Sequence, residues 1–233
     1  MHKKNVAALS LMLTIALSMF GYAYATWSDK VLITGSAKMG TLQLVFYYVE
    51  HPRCTEYWLN PDTGQLVEGE FLDKDVGKCW ITLPDPVVNE HTGKKGYKSF
   101  TVNIKDAYPS YRVHTTYLLD DIGTVPVVAY KYVFTGASYD KAGNREHDLY
   151  WDGKISGGKI FEDVDDDGLD PDDPEVINID LTDKFPVQID PDVTPDKREI
   201  DLHFKQPARQ CHTYKITVEI LGIQWNKLYE VAP

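Results

Sequence analysis

The closing stretch of the chain, His212 to Ile220, alternates residue by residue. Tyr214, Ile216, Val218 and Ile220 fall on one face, and Thr213, Lys215, Thr217 and Glu219 on the other. Successive side chains of a strand point to opposite faces, so this period of two describes a strand with one buried and one wet side. That division is characteristic of antiparallel sheets that press a single face onto a core.

The same pattern recurs upstream. Tyr97 to Ile104 places Phe100, Val102 and Ile104 together, and Glu199 to Phe204 does so with Ile200, Leu202 and Phe204. Thr41 to Val49, Tyr111 to Leu119, Val125 to Thr135 and Val176 to Leu181 read as further strands, with the turn residues Asp120-Asp-Ile-Gly123 between two of them. Fifteen tyrosines and many Val, Ile and Thr favour strands, and no long stretch has helical periodicity. The expected fold is all-β, an antiparallel β-sandwich of jelly-roll type spanning residues 36–233 as one domain. Two stretches interrupt the pattern and read as long loop insertions, about 50–96 and 136–198. The second is polar and rich in Asp and Gly, and is expected to stay disordered without a ligand.

The N-terminus carries a different signal. Lys3 and Lys4 precede a charge-free run from Val6 to Phe20, and Ala23-Tyr-Ala25 offers small residues at the positions a signal peptidase reads. The run is shorter than the roughly 20 residues that span a bilayer, so a cleaved signal peptide over 1–25 is expected rather than a retained anchor. The protein would then be secreted, touching the membrane only before cleavage. The formal net charge is −11, and removal of the two lysines would make it more acidic. Such a chain lacks the basic surface that nucleic acid demands and instead invites cations.

Secretion permits disulfides. Of the three cysteines, Cys54 and Cys79 sit in similar surroundings and can close one local loop. Cys211 is then left over, with a buried free thiol as its plainest reading.

The acidic segment has more order than a charge run needs. Asp163, Asp165 and Asp167 alternate and Gly168 follows, as in the first half of an EF-hand loop. Alternate carboxylates converge on one hard cation, glycine allows the sharp turn, and the carbonyl of Leu169 can face inward. The bidentate Glu of an EF-hand is missing, because Pro174 takes its place. Asp170 and Asp173 instead complete a D-x-D-x-D-G-x-x-D-x-x-D spacing. Calcium is the expected ion, since the motif offers many oxygens and no His or Cys. The plainer alternative is a solvated acidic loop. A second acidic group, Asp180, Asp183, Asp190 and Asp192, is less regular and reads as surface charge.

Catalytic signatures are missing: no G-x-S-x-G, H-E-x-x-H or phosphate-binding glycine loop occurs. His114, His203 and His212 lie in strand segments, where a structural role is the commoner one. No pair of acidic residues stands out for glycoside hydrolysis. No enzymatic activity is expected.

Three stretches together resemble the TasA/camelysin family of fibre-forming proteins. They are Ala25-Thr-Trp27-Ser-Asp29 with Val31-Leu-Ile33-Thr-Gly-Ser36 and Gly40-Thr-Leu42; Asn103-Ile-Lys-Asp-Ala107-Tyr108-Pro109-Ser-Tyr111 with Gly123-Thr-Val-Pro126-Val127; and the strand from Tyr214 that ends in Ile223-Gln224-Trp225-Asn226. The signal peptide is similar to those processed by SipW-like peptidases, and the archaeal members, subunits of bundling pili and of cannulae, are the nearest in kind. The likeness is interrupted by residues 50–96 and 136–198.

This resemblance implies a jelly roll that polymerises head to tail by donor-strand complementation. Residues 26–35 would be the donor, with Trp27, Val31 and Ile33 on one face. The alternative is an ordinary first strand paired within its own subunit. Three functional classes follow. The leading one is a calcium-stabilised homopolymer forming a filament or tube. A surface adhesin that does not polymerise is the second, and a secreted hydrolase, for which no residues are evident, is the third.

Overall fold

The structure, a computed structural model, describes residues 12–15, 40–59, 63, 66–68, 77–107, 109, 111–168, 170, 172–182, 185–224 and 227. The chain divides into two units, Met1–Met39 and Gly40–Pro233. In the first, residues 12–15 are helical. Among the described residues no helix is long and apolar enough to cross a membrane.

The second unit is almost wholly antiparallel β. Its strands are β1 (Leu44–Val49), β2 (Arg53–Leu59), β3 (Leu66–Glu68), β4 (Lys78–Thr82), β5 (Val87–Val88), β6 (Lys95–Gly96), β7 (Ser99–Lys105), β8 (Tyr111–Asp121), β9 (Val127–Tyr139), β10 (Arg145–Trp151), β11 (Gly158–Asp163), β12 (Glu175–Leu181), β13 (Val187–Ile189), β14 (Asp196–Phe204) and β15 (Thr213–Gln224). Thirteen of them form one sheet in the order β3-β2-β8-β14-β12-β11-β10-β9-β15-β7-β4, with β1 added on β8 and β13 on β9. β5 and β6 pair separately as a short hairpin.

Alternation in the sequence becomes burial in the sheet. Tyr214, Ile216 and Val218 of β15 are buried, as are Phe100, Val102 and Ile104 of β7 and Ile200, Leu202 and Phe204 of β14. Each such side chain contributes about 1.5–3 kcal/mol by leaving water. The aromatic centre is a chain of edge contacts: Phe46 lies 4.8 Å from Phe100 and 5.2 Å from Tyr117, and Phe204 lies 5.2 Å from Tyr214.

The sheet curls until its two ends meet. β8 carries β1 and β2 along one edge, and β7 carries β4. Phe46 and Tyr97 exchange two main-chain hydrogen bonds of 2.8 and 2.9 Å across the junction. Further along it, Cys54 and Cys79 are joined in a disulfide with Cα atoms 6.1 Å apart. The result is a large, nearly closed sheet.

Several sequence expectations need adjustment. Residues 136–198 supply β10 to β13 and the start of β14 to the main sheet. They read as an insertion because their strands are short and partly wet: in β10 only Leu149 is fully buried. Residues 50–96 likewise give β2 and β4 to that sheet. The first strand begins at Leu44, yet Thr41 and Gln43 already accept hydrogen bonds from Thr124 and Ile122. Cys211 is free and exposed instead of buried, at a left-handed φ of 62° in the turn before β15.

Candidate metal-binding loop

β11 and β12 are antiparallel neighbours, paired up to Phe161 opposite Glu175. The acidic segment is the connection between them, closed at its base where Glu162 donates its amide to the Pro174 carbonyl at 3.1 Å. The loop therefore stands on two strands of the main sheet, so its ends are fixed.

Within the loop the carboxylates act first on the backbone. Asp163 ends β11 and is 3% exposed; its two oxygens accept from the amides of Asp167 (3.2 Å) and Gly168 (3.0 Å). That curl requires a left-handed step, taken by Asp166 (φ 62°) and Gly168 (φ 96°), the second of which only glycine adopts at little cost. Asp170 accepts from the amides of Asp172 (2.7 Å) and Asp173 (3.2 Å), while Asp173, 6% exposed, accepts from Asp170 (3.1 Å). These are Asx turns, in which a short acidic side chain substitutes for a main-chain partner.

The turns bring carboxylates together. Oxygens of Asp163, Asp165 and Asp173 lie within 4.8 Å of one another, as do those of Asp165, Asp167 and Asp170. Asp165 belongs to both groups and is exposed. All five aspartates singled out by spacing are thus in one loop. Leu169, the expected carbonyl ligand, lies outside the described residues. The crowding has an electrostatic mark: the charge on Asp165, ahead of some desolvation and the charge on Asp170, holds the exposed Asp167 carboxyl above its ordinary value. Several hard oxygens in one loop fit a hard cation such as calcium, which takes six to eight of them. A cation there would also relieve the repulsion.

The remaining candidates fall elsewhere. The cysteines sit at the junction of the sheet ends, and Trp27, Val31 and Ile33 lie outside the described residues. His212 contacts Glu146 at 2.9 Å, and His114 contacts Asp201 at 3.3 Å, each engaged by a neighbouring carboxylate. A polar cleft lined by Glu50, His51, Arg53, His114, Lys197 and Glu199 joins β2, β8 and β14. Residues so far apart in the chain gave no local motif to find it by.

Asp120 and Asp121 also escaped notice, because they read as turn chemistry. Both are buried at the end of β8, each with one oxygen lacking a hydrogen-bond partner, and burial raises both carboxyls above their ordinary value.

No protein-family model matches this chain, and no curated protein or solved structure matches it either.

Proposed function

We propose that this chain is a secreted structural subunit that polymerises head to tail into an extracellular filament or tube. In this reading the sheet is a jelly-roll sandwich, and residues 26–34 of one copy, with Trp27, Val31 and Ile33 on the inserted face, add a strand to the next. Calcium held by Asp163, Asp165, Asp167, Asp170, Asp173 and the carbonyl of Leu169 stabilises the assembly. No reaction is assigned to the chain.

One observation carries the proposal. The β unit begins at Gly40, and among the described strands the first is β1 at Leu44. Residues 26–34 lie outside the described residues, and in the sequence Trp27, Val31 and Ile33 alternate along them. An alternating segment ahead of the first described strand suits β-augmentation, where main-chain hydrogen bonds give affinity and alternate side chains give register. Head-to-tail contacts of this heterologous kind extend into a filament when their rotation does not close a ring. The TasA/camelysin resemblance of the N-terminal stretch points the same way.

The test compares residues 26–233 with a chain beginning at Gly35, both in calcium, by electron microscopy. Filaments from the first alone are expected. Filaments from both would sink the donor segment and spare the polymer. Monomers from both would favour the second reading, a calcium-dependent adhesin, for which the half-exposed Tyr47 and Tyr48 of β1 offer an aromatic surface.

A further inference from the structure

One edge of β8 is shared by two strands in succession, and a cleft opens where the first hands over to the second. β1 pairs with it as far as Val49 opposite Tyr117, and β2 resumes with Arg53 opposite His114. Four steps from Val49 to Arg53 thus match three along β8, so one extra residue is taken up at Glu50–Pro52. A bulge of this kind re-aims side chains. Val49 is buried in the core, whereas Arg53, an even number of positions on, is exposed on the outer face.

The bulge is held at fixed points. Glu50 donates its amide to the Thr116 carbonyl at 2.8 Å, and the Thr115 hydroxyl donates to the Glu50 carbonyl at 3.1 Å. Proline at 52 suits a bulge, where no ladder amide is required. On the other edge of β8 runs β14, with Glu199 opposite Thr116 and Asp201 opposite His114. His114 and Thr116 therefore form the floor of the cleft. Glu50, His51 and Arg53 make one wall, and Lys197 and Glu199 the other. Its volume of about 240 Å³ falls below the roughly 300–1,000 Å³ of pockets for drug-sized ligands. It has the size for one small ring.

The lining is polar throughout: no Val, Leu, Ile, Met, Phe or Trp contributes, which does not suit an apolar ligand. Some of its groups are engaged. Lys197 lies 3.5 Å from Glu199, and Nδ1 of His114 lies 3.3 Å from Asp201, which leaves Nε2 for a ligand. Glu50, His51 and Arg53 are exposed and have no side-chain partner among the described residues. A carboxylate, an imidazole and a guanidinium thus line one cleft uncommitted.

These charges narrow the ligand. A metal ion fits poorly, because Arg53 and Lys197 repel it; among the described residues, the metal-type ligands that converge are those of the acidic loop. A bare anion would use only the cations. Arg53 offers the planar fork that takes a carboxylate in two hydrogen bonds, with Lys197 as a second charge. Glu50 and Glu199 call for donors, and hydroxyls both donate to carboxylates and accept from an imidazole N–H.

We propose that this cleft binds an acidic sugar, a hexuronate, with its carboxylate on Arg53 and Lys197 and its hydroxyls on Glu50, Glu199, His51 and His114. The proposal holds whether or not the chain polymerises. An amino acid carries opposite charges too, but its one ammonium leaves a carboxylate and both imidazoles without partners.

The experiment titrates the full chain, in calcium, with D-glucuronate, D-glucose and L-glutamate. It follows the imidazole proton resonances of His51 and His114 by NMR, assigned with His51→Gln and His114→Gln. Glucuronate should shift both resonances with a Kd on the order of 1 mM, as suits a ligand of this size. Glucose should bind at least about tenfold more weakly, as should glucuronate to Arg53→Gln or Glu50→Gln. Both substituted side chains are exposed, so these variants should melt with the parent. Unchanged glucuronate affinity in Arg53→Gln, shifts that miss both histidines, or no saturable binding would overturn the site. Glucose binding as tightly as glucuronate would overturn the acid assignment. Glutamate binding more tightly than glucuronate would overturn the sugar.

Discussion

Cys54 of β2 and Cys79 of β4 tie together strands from the two ends of the main sheet. No β2–β4 ladder is present among the described residues, so near this point the disulfide does what main-chain hydrogen bonds do between Phe46 and Tyr97. The bond closes a loop with a sequence separation of 25 residues.

Chain entropy then sets the expected cost of losing it. Replacing both cysteines by serine should destabilise the fold by about 3 kcal/mol, a loss of roughly 6–12 °C in melting temperature for a domain of this size. Calorimetry with and without a thiol reductant checks this. Hydrogen exchange should locate the opening in β2 and β4, with β9 and β15 still protected. Uniform loss of protection would mean that the seam is not a separate unit.

The two groups of carboxylates share Asp165, and this makes it the informative residue for cation binding. Its side chain is exposed, whereas Asp163 is buried and holds two loop amides. Asp165→Asn should leave the melting temperature without calcium unchanged and weaken calcium binding at least about tenfold. Asp163→Ala should cost about 1–3 kcal/mol even without calcium, because two amides lose their acceptor. Saturation at a hundred times Kd should stabilise the native protein by about 2.7 kcal/mol, reversed by a chelator. Titration calorimetry and thermal melts read all three. Equal calcium affinity in the Asp165→Asn protein would remove this loop as the site.

Protons compete for the same loop. Because its neighbours hold Asp167 above the ordinary aspartate value, it takes up a proton earlier than an isolated carboxylate as pH falls. Calcium affinity should therefore begin to drop above the ordinary aspartate range. In Asp167→Asn the drop should start at lower pH. Titrations at a series of pH values, at constant ionic strength, decide the point.

What the sequence revealed and what it hid divide along the distance over which each feature is encoded. β7, β14 and β15 were legible because alternation is local and each buries three successive apolar residues on one face. The acidic loop was legible as spacing, since Asp163 and Gly168 act within five residues; its Asx turns were not read from it. β11 was hidden, because Glu162 and Asp163 are both buried and charged, a combination that composition assigns to a loop. Sheet order was hidden for another reason: β1 pairs with β8, and Phe46 with Tyr97, across long separations that no local pattern reports.

Gly123 tests the point at which the chain enters the sheet. A Cβ there would fall against the main-chain carbonyl of Thr41 and near the amide of Gln43. Backbone cannot swing aside as a side chain does, so Gly123→Ala should displace residues 41–43 from the β8–β9 turn. A loss of about 1–3 kcal/mol is expected, as for an overpacked core. Gly143→Ala meets no neighbour within 4 Å and carries only the strain of its φ of 89°. It should cost less, and urea unfolding of the pair separates crowding from strain.

The carboxylates of Asp120 and Asp121 give the fold itself a pH dependence with an unusual sign. Burial, the first cause for both, raises their pKa values; Lys94, paired with Asp192 at 2.9 Å, offsets part of this for each, as does the amide of Gly123 for Asp121. A carboxyl whose folded pKa exceeds its unfolded one contributes stability that is complete below the unfolded value and is lost as pH rises through the folded value. These two groups therefore favour folding more as pH falls from neutrality towards the ordinary aspartate range. Asp120→Asn removes one of the buried charges and keeps the shape. The variant should be more stable than the parent at pH 7, and the difference should shrink as the pH is lowered. Urea unfolding in chelator from pH 7 to pH 4.5 measures it without interference from the calcium loop. A difference that grows on acidification would mean that Asp120 is stabilised as a carboxylate, with the Lys94 ammonium outweighing burial.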